Sequence, residues 1–284
     1  MIIVTNMKKF FSLMAMLTAA VIIAACGNGK AAEPNVNAAD SDSTVTNTVE
    51  ARPVVLFDSV VYSNSNQWLE YNVYLVYPKD GSDEIVRSMR KVILSNFGMK
   101  NPTGEEDFAQ VLRKDFESHS EEAQSELGEL FEDVEFDDDD SRPRYGYNDE
   151  IRLEYESTEY ATFYSCGDDY RAGAHGMPWQ YRFSVDLNTG KQIKWADIFK
   201  PGYKAKLKPI IKKALFSQYF DNNEDLIDHF DLPGAEPALT VDGVWFGYGA
   251  YEIAAYAAGM PECVVGYDKL QDLLTDYVKM IIKK

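Results

Sequence analysis

An α+β fold, with antiparallel sheets covered by helices, is what the order of signals along this chain predicts. Strand-like runs bounded by turn residues open the body and return as a cluster from Glu150 onward. Apolar residues at helical spacing are segregated between those clusters, and again at 209–220 and toward the C-terminus. Strands and helices sorted in this way do not make the alternating βαβ array of a parallel sheet.

Val54–Tyr62 and Trp68–Tyr77 read as two strands around a Ser63-Asn64-Ser65-Asn66 turn, with Pro78 ending the second. Ser82 can cap a helix that carries Ile85, Val86, Met89, Ile93 and Phe97 on one face. Phe108, Val111, Leu112 and Phe116 predict a second helix, which Leu127, Leu130, Phe131 and Val134 extend beyond a very polar middle. The acidic run Asp137–Asp140 reads as a solvated loop, since it has neither the spacing nor the turn glycine of a calcium loop. Ile151–Tyr155, Tyr160–Ser165 and Trp179–Leu187 predict an antiparallel meander, closed by the Asn188-Thr189-Gly190 turn before Gln192–Trp195. A helix over Pro209–Phe220 would hold Pro209 in its first turn. Ala238–Val241 and Val244–Tyr248 form a hairpin signal around Asp242-Gly243, and Leu270 to Ile281 gives an amphipathic terminal helix. The expected layout is a smaller N-terminal part at 53–145 packed beside a C-terminal domain at 146–284.

What precedes the body sets an expectation about location. Lys8 and Lys9, an apolar run from Phe10, and the small residues before Cys26 read as a lipoprotein signal peptide over 1–26, with Cys26 as the lipidated residue. Residues 27–52, rich in Ala, Asn, Ser and Thr, read as a flexible tether. The expectation is a body anchored to the membrane by lipid and held outside the cytoplasm. Without residues 1–26 the chain keeps 26 basic and 46 acidic side chains, a net charge of about −20. Such a surface repels phosphate, which excludes nucleic acid as a partner class. It favours basic proteins or cations, although solubility alone explains it equally well.

Chemical motifs are scarce. No GxSxG elbow, phosphate loop, HExxH or CxxC is present in the body, and no cofactor or metal is expected. His119 and His229 read as ordinary surface residues. Cys166 and Cys263 can pair in one disulfide or remain as two buried free thiols. Two segments stand out. In Arg171-Ala172-Gly173-Ala174-His175-Gly176 a histidine sits between glycines in a loop, as a base, a ligand or a pin for the loop itself. In Tyr248 to Gly259, tyrosines surround Glu252 among small residues. This suits either recognition or a core loop whose glutamate is satisfied by backbone donors.

These segments carry a resemblance. Ala172 to Gly176, Phe183 to Gly190, Asp197-Ile198-Phe199, Leu239 to Phe246, Tyr251 to Gly259, Val264 to Tyr267 and Leu270 together resemble a bacterial envelope domain of undefined function. That domain is found in the ectodomain of a lysozyme-sensing anti-sigma factor and beside some peptidoglycan deacetylase domains. The sequence departs from the family pattern at Ala172, Gly176, Ala250 and Ala255, where a glycine and three prolines are usual, and it lacks the deacetylase domain and its metal motif. The resemblance implies a non-enzymatic binding module for a lysozyme-like envelope protein or a peptidoglycan fragment. Arg171, His175, Tyr248, Tyr251, Glu252 and Tyr256 are the candidate contacts. A cell-wall hydrolase using His175 or Glu252 with an acid such as Asp186 is the rival, and a purely structural lipoprotein the third reading.

Overall fold

The computed structural model describes residues 55–80, 83–136, 142–221 and 229–283. Cys26, the tether, the Ser82 cap and the Asp137–Asp140 run lie outside them. Glu50–Lys284 forms one unit by its contacts, built on two sheets. In the first, β1 (Leu56–Ser65) and β2 (Leu69–Asp80) form the expected hairpin. Its turn is set by Asn66, whose side-chain oxygen accepts the backbone N–H groups of Trp68 and Leu69 at 2.8 and 3.0 Å. Pro78 does not end β2. Beyond Leu75 the strand pairs only with β1, and the ladder shifts register near Leu56, so a missing N–H is tolerated there.

The chain then crosses the sheet through α1 (Asp83–Asn96) and α2 (Phe108–Leu130). Asp107 caps α2 by accepting the Gln110 N–H at 2.9 Å. The polar middle does not break this helix, because Asp115 and His119 stand on the same face as Phe108, Leu112, Ala123 and Leu127 and find partners there. Since the crossover returns the chain to the end where β2 began, β3 (Tyr145–Glu156) pairs with β2 in parallel. The antiparallel meander follows as β4 (Tyr160–Arg171), β5 (Met177–Asp186) and β6 (Gln192–Ile193), giving a six-stranded sheet in sequence order. Asp186 shapes the turn after β5 by accepting the N–H groups of Asn188 and Thr189 at 2.7 and 3.0 Å. Gly190 (φ +66°) passes so near α1 that a Cβ would lie 2.4 Å from the Ile85 carbonyl oxygen.

The second layer holds α3 (Trp195–Ile198), α4 (Lys204–Gln218), the sheet β7 (Ala238–Leu239), β8 (Gly243–Gly247) and β9 (Glu262–Gly266), then α5 (Tyr267–Leu270) and α6 (Asp276–Ile281). Pro209 lies inside α4 rather than in its first turn, so the helix forgoes one backbone bond. The terminal stripe is split in two. Leu274 bridges to Phe199, and Thr275 donates to the Asp197 carbonyl while capping α6, so tertiary pairing interrupts the helix. No helix among the described residues is long and apolar enough to cross a membrane.

The layers share buried polar ties. The Thr162 hydroxyl donates to the Leu239 carbonyl at 2.7 Å and meets Ser184 Oγ, which in turn accepts the Leu239 N–H. Arg182 on β5 makes a two-pronged contact with Glu154 at 2.6 and 2.9 Å and reaches Glu262 on β9 at 2.9 Å. Its guanidinium also lies 5.1 Å from the centre of the Trp245 ring. Arg182→Met should therefore cost about 2 kcal/mol, below a fully buried pair because both carboxylates can rehydrate. Denaturant unfolding checks this, and an unchanged midpoint would contradict it.

Candidate functional site

The two unusual sequence segments meet in space. The β4–β5 loop, 172–176, enters through Ala172, which holds a left-handed backbone (φ +53°) where the resembled pattern has glycine. His175 follows, exposed, with Nδ1 2.9 Å from the Gly176 carbonyl oxygen. Across from it a 3₁₀ turn, Tyr256–Ala258, presents Tyr256. The Tyr256 ring stacks on His175 with centroids 4.2 Å apart, and its hydroxyl donates to the Gly176 carbonyl at 2.9 Å. Tyr251 continues the row, 5.3 Å from Tyr256, with 54% of its surface exposed and φ at +67°. A non-glycine residue in that region is strained, so its neighbours hold it there.

Glu252 supplies much of that hold. Its two carboxylate oxygens accept the N–H groups of Gly234 at 2.7 Å and Gly249 at 2.8 Å, tying the tyrosine segment to the chain before β7. Replacing Glu252 with Ala should release both segments and cost about 2 kcal/mol, since charge-assisted bonds to backbone are lost at a half-buried site. A thermal melt measures this. Unchanged stability would return Glu252 to the list of free functional groups.

The remaining candidates have other tasks. Tyr248 is 1% exposed and its hydroxyl donates to the Asp231 carbonyl at 2.9 Å, so it is a core residue and not a contact. Arg171 turns back to α2, bridging Glu122 at 2.6 Å and Asp169 at 2.9 Å. Asp186, the acid of the hydrolase reading, is occupied by its turn and by the Tyr277 hydroxyl. Cys166 and Cys263 are free thiols on different sheets, so the disulfide is not formed. Burial pushes the Cys263 thiol up to about 12, and burial beside Glu150 raises Cys166, which keeps both protonated at neutral pH. Among the described residues, no group of three or more His, Cys, Asp or Glu side chains could hold a metal ion.

Sequence reading missed a second polar assembly. His119 is not a free surface residue, because its ring lies 4.4 Å from Tyr147 and its Nδ1 is 2.9 Å from the Asp115 carbonyl oxygen. Burial alone would lower its pKa, but the hydrogen bonds to Asp115 outweigh that and the net shift is upward. The signal was the pair of polar residues standing in the apolar stripe of α2.

Residues 196–268 match the family model described as a protein of unknown function, DUF3298. A comparison with curated proteins finds no significant match. Solved structures share the fold, two of them from DUF3298 family proteins. A member of the DUF3298 family from Bacteroides fragilis superposes with a TM-score of 0.69 at 19% identity, over 82% of this chain and 98% of that one. A DUF3298 family protein from Pseudomonas aeruginosa gives a TM-score of 0.56 at 15% identity, over 79% and 96%.

Proposed function

From a chain whose residues 196–268 match DUF3298, we propose a non-enzymatic binding module, lipid-anchored through Cys26 outside the cytoplasm, that recognises a lysozyme-like envelope protein through the aromatic row His175–Tyr256–Tyr251. The observation that carries the proposal is the row itself. Two loops far apart in sequence are tied together by a ring stack and a hydrogen bond, yet leave Tyr251 and His175 facing solvent. Rigid amphipathic rings give large contact area at low entropic cost, the composition of interface anchors. The net charge of about −20 that remains without residues 1–26 would speed encounter with a basic lysozyme and fix its orientation. A peptidoglycan fragment could also lie on the exposed rings but would gain nothing from that field.

The hydrolase alternative is less well supported. It needs His175 beside a carboxylate, whereas its ring rests on Tyr256 and both Glu252 oxygens are engaged by backbone. Tyr251→Ala, at an exposed position, should leave the melting temperature within a few degrees and weaken lysozyme binding at least tenfold. Binding unchanged by Tyr251→Ala and by Tyr256→Ala would remove the row from the interface.

A further inference from the structure

We infer that the groove between the C-terminal end of α1 and the first half of α2, remote in sequence from the aromatic row, is a binding site for a small organic cation with a flat apolar body. The groove has a volume of about 540 Å³, within the range of small-molecule sites. Phe97, Met99 and Val111 give it apolar walls, and Tyr147 from β3 is its floor. That floor is fixed from beneath. Tyr147 stacks on the fully buried Tyr71 with centroids 5.3 Å apart and leans on Trp179 at 5.8 Å. His119 lies 4.4 Å from the Tyr147 ring, so a flat ligand meets a fixed aromatic surface shared by Tyr147 and His119.

One wall carries the charge. Asp115 stands at a core-facing position of α2, where an apolar side chain would serve packing better. Its Oδ2 accepts the Tyr71 hydroxyl at 2.7 Å and lies 3.3 Å from His119 Nδ1, so the carboxylate is anchored at the groove. Glu106 and Asp107 also line the groove, against two basic side chains, Lys114 and the His119 ring held beside Asp115. Hydrogen bonds from Thr103 and Gly104 overcome partial burial and hold Glu106 near a pKa of about 2, so it stays ionised. Three carboxylates (Glu106, Asp107 and Asp115) outnumber the two basic side chains, and the ring faces add to the preference for a cation.

Three probes with one ring system separate these contributions: tryptamine, neutral indole and indole-3-acetate, titrated calorimetrically into the full chain in non-ionic detergent. Tryptamine should saturate and bind at least tenfold more tightly than indole, with no saturation by indole-3-acetate. Asp115→Asn should weaken tryptamine about tenfold, and leave indole unchanged. Val111→Trp, which fills the groove from a half-buried helix position, should abolish binding of both while the helical circular dichroism persists. No saturation by tryptamine at millimolar concentration, equal affinity for all three probes, or wild-type tryptamine affinity in either variant would overturn the inference.

Discussion

Gly167→Ala is expected to destabilise the fold by at least about 3 kcal/mol, the largest loss we predict for a single added methyl group. Gly167 lies in β4, paired on one side with Asp149 of β3 and on the other with Trp179 of β5. A Cβ there would sit 2.1 Å from the Asn148 carbonyl oxygen and 2.4 Å from Trp179 Cζ2. Neither neighbour can yield cheaply. The carbonyl belongs to a strand paired on both sides, and the indole packs over the glycine as part of the floor beneath Tyr147. A fall in melting temperature of roughly 6–12 °C would follow for a body of this size. Retention of the wild-type melt would mean that Trp179 is free to move, contrary to the packing described.

Asp149→Asn should act in the opposite direction, and only above mildly acidic pH. Asp149 is 6% exposed and its Oδ1 has no hydrogen-bond partner. Burial, reinforced by the charge of Asp115, raises its pKa to about 7 against bonds from Tyr147 and Trp179 that act to lower it. The folded state therefore holds a proton that the unfolded chain releases near pH 4. The stability this confers is complete below pH 4 and is lost as pH rises through 7. At pH 8 the wild type carries the penalty of a buried carboxylate, up to about 4 kcal/mol from a shift of roughly three pH units. An uncharged amide avoids it but leaves its own N–H groups short of acceptors, so the net gain expected is about 2 kcal/mol at pH 8 and near zero at pH 4. Urea unfolding at the two pH values separates these outcomes. A variant less stable than wild type at pH 8 would show that the bonds from Tyr147 and Trp179 outweigh the burial of the carboxylate.

Most of the strands and helices were legible in the sequence because each alternates or repeats against one of two hydrophobic clusters, whereas the short α3 and β9 carry too few residues to show a period. Three features were not. The parallel β2–β3 pairing follows from where a two-helix crossover returns the chain, which no local pattern encodes. The break at Thr275 depends on Asp197, 78 positions earlier, offering its carbonyl. Asp115 and His119 looked solvated because a polar residue in a helix is read by default as exposed, whereas Tyr71 and Tyr147 make that face polar enough to bury them. The candidate site was legible as two odd-textured segments, but their meeting was not. Tyr256 and Gly176 are 80 positions apart and joined by a single hydrogen bond. Tyr248 and Tyr251 looked equivalent in sequence, and only the turn between them sends one into the core and the other to solvent.

Calorimetric titration of residues 53–284 with lysozyme at low and at high salt tests the binding reading most directly. The account predicts saturable binding of fixed stoichiometry that weakens with salt but persists at high salt, because the aromatic row supplies contact that screening leaves intact. Heat that disappears at high salt would contradict it, leaving only the attraction between an acidic protein and a basic one.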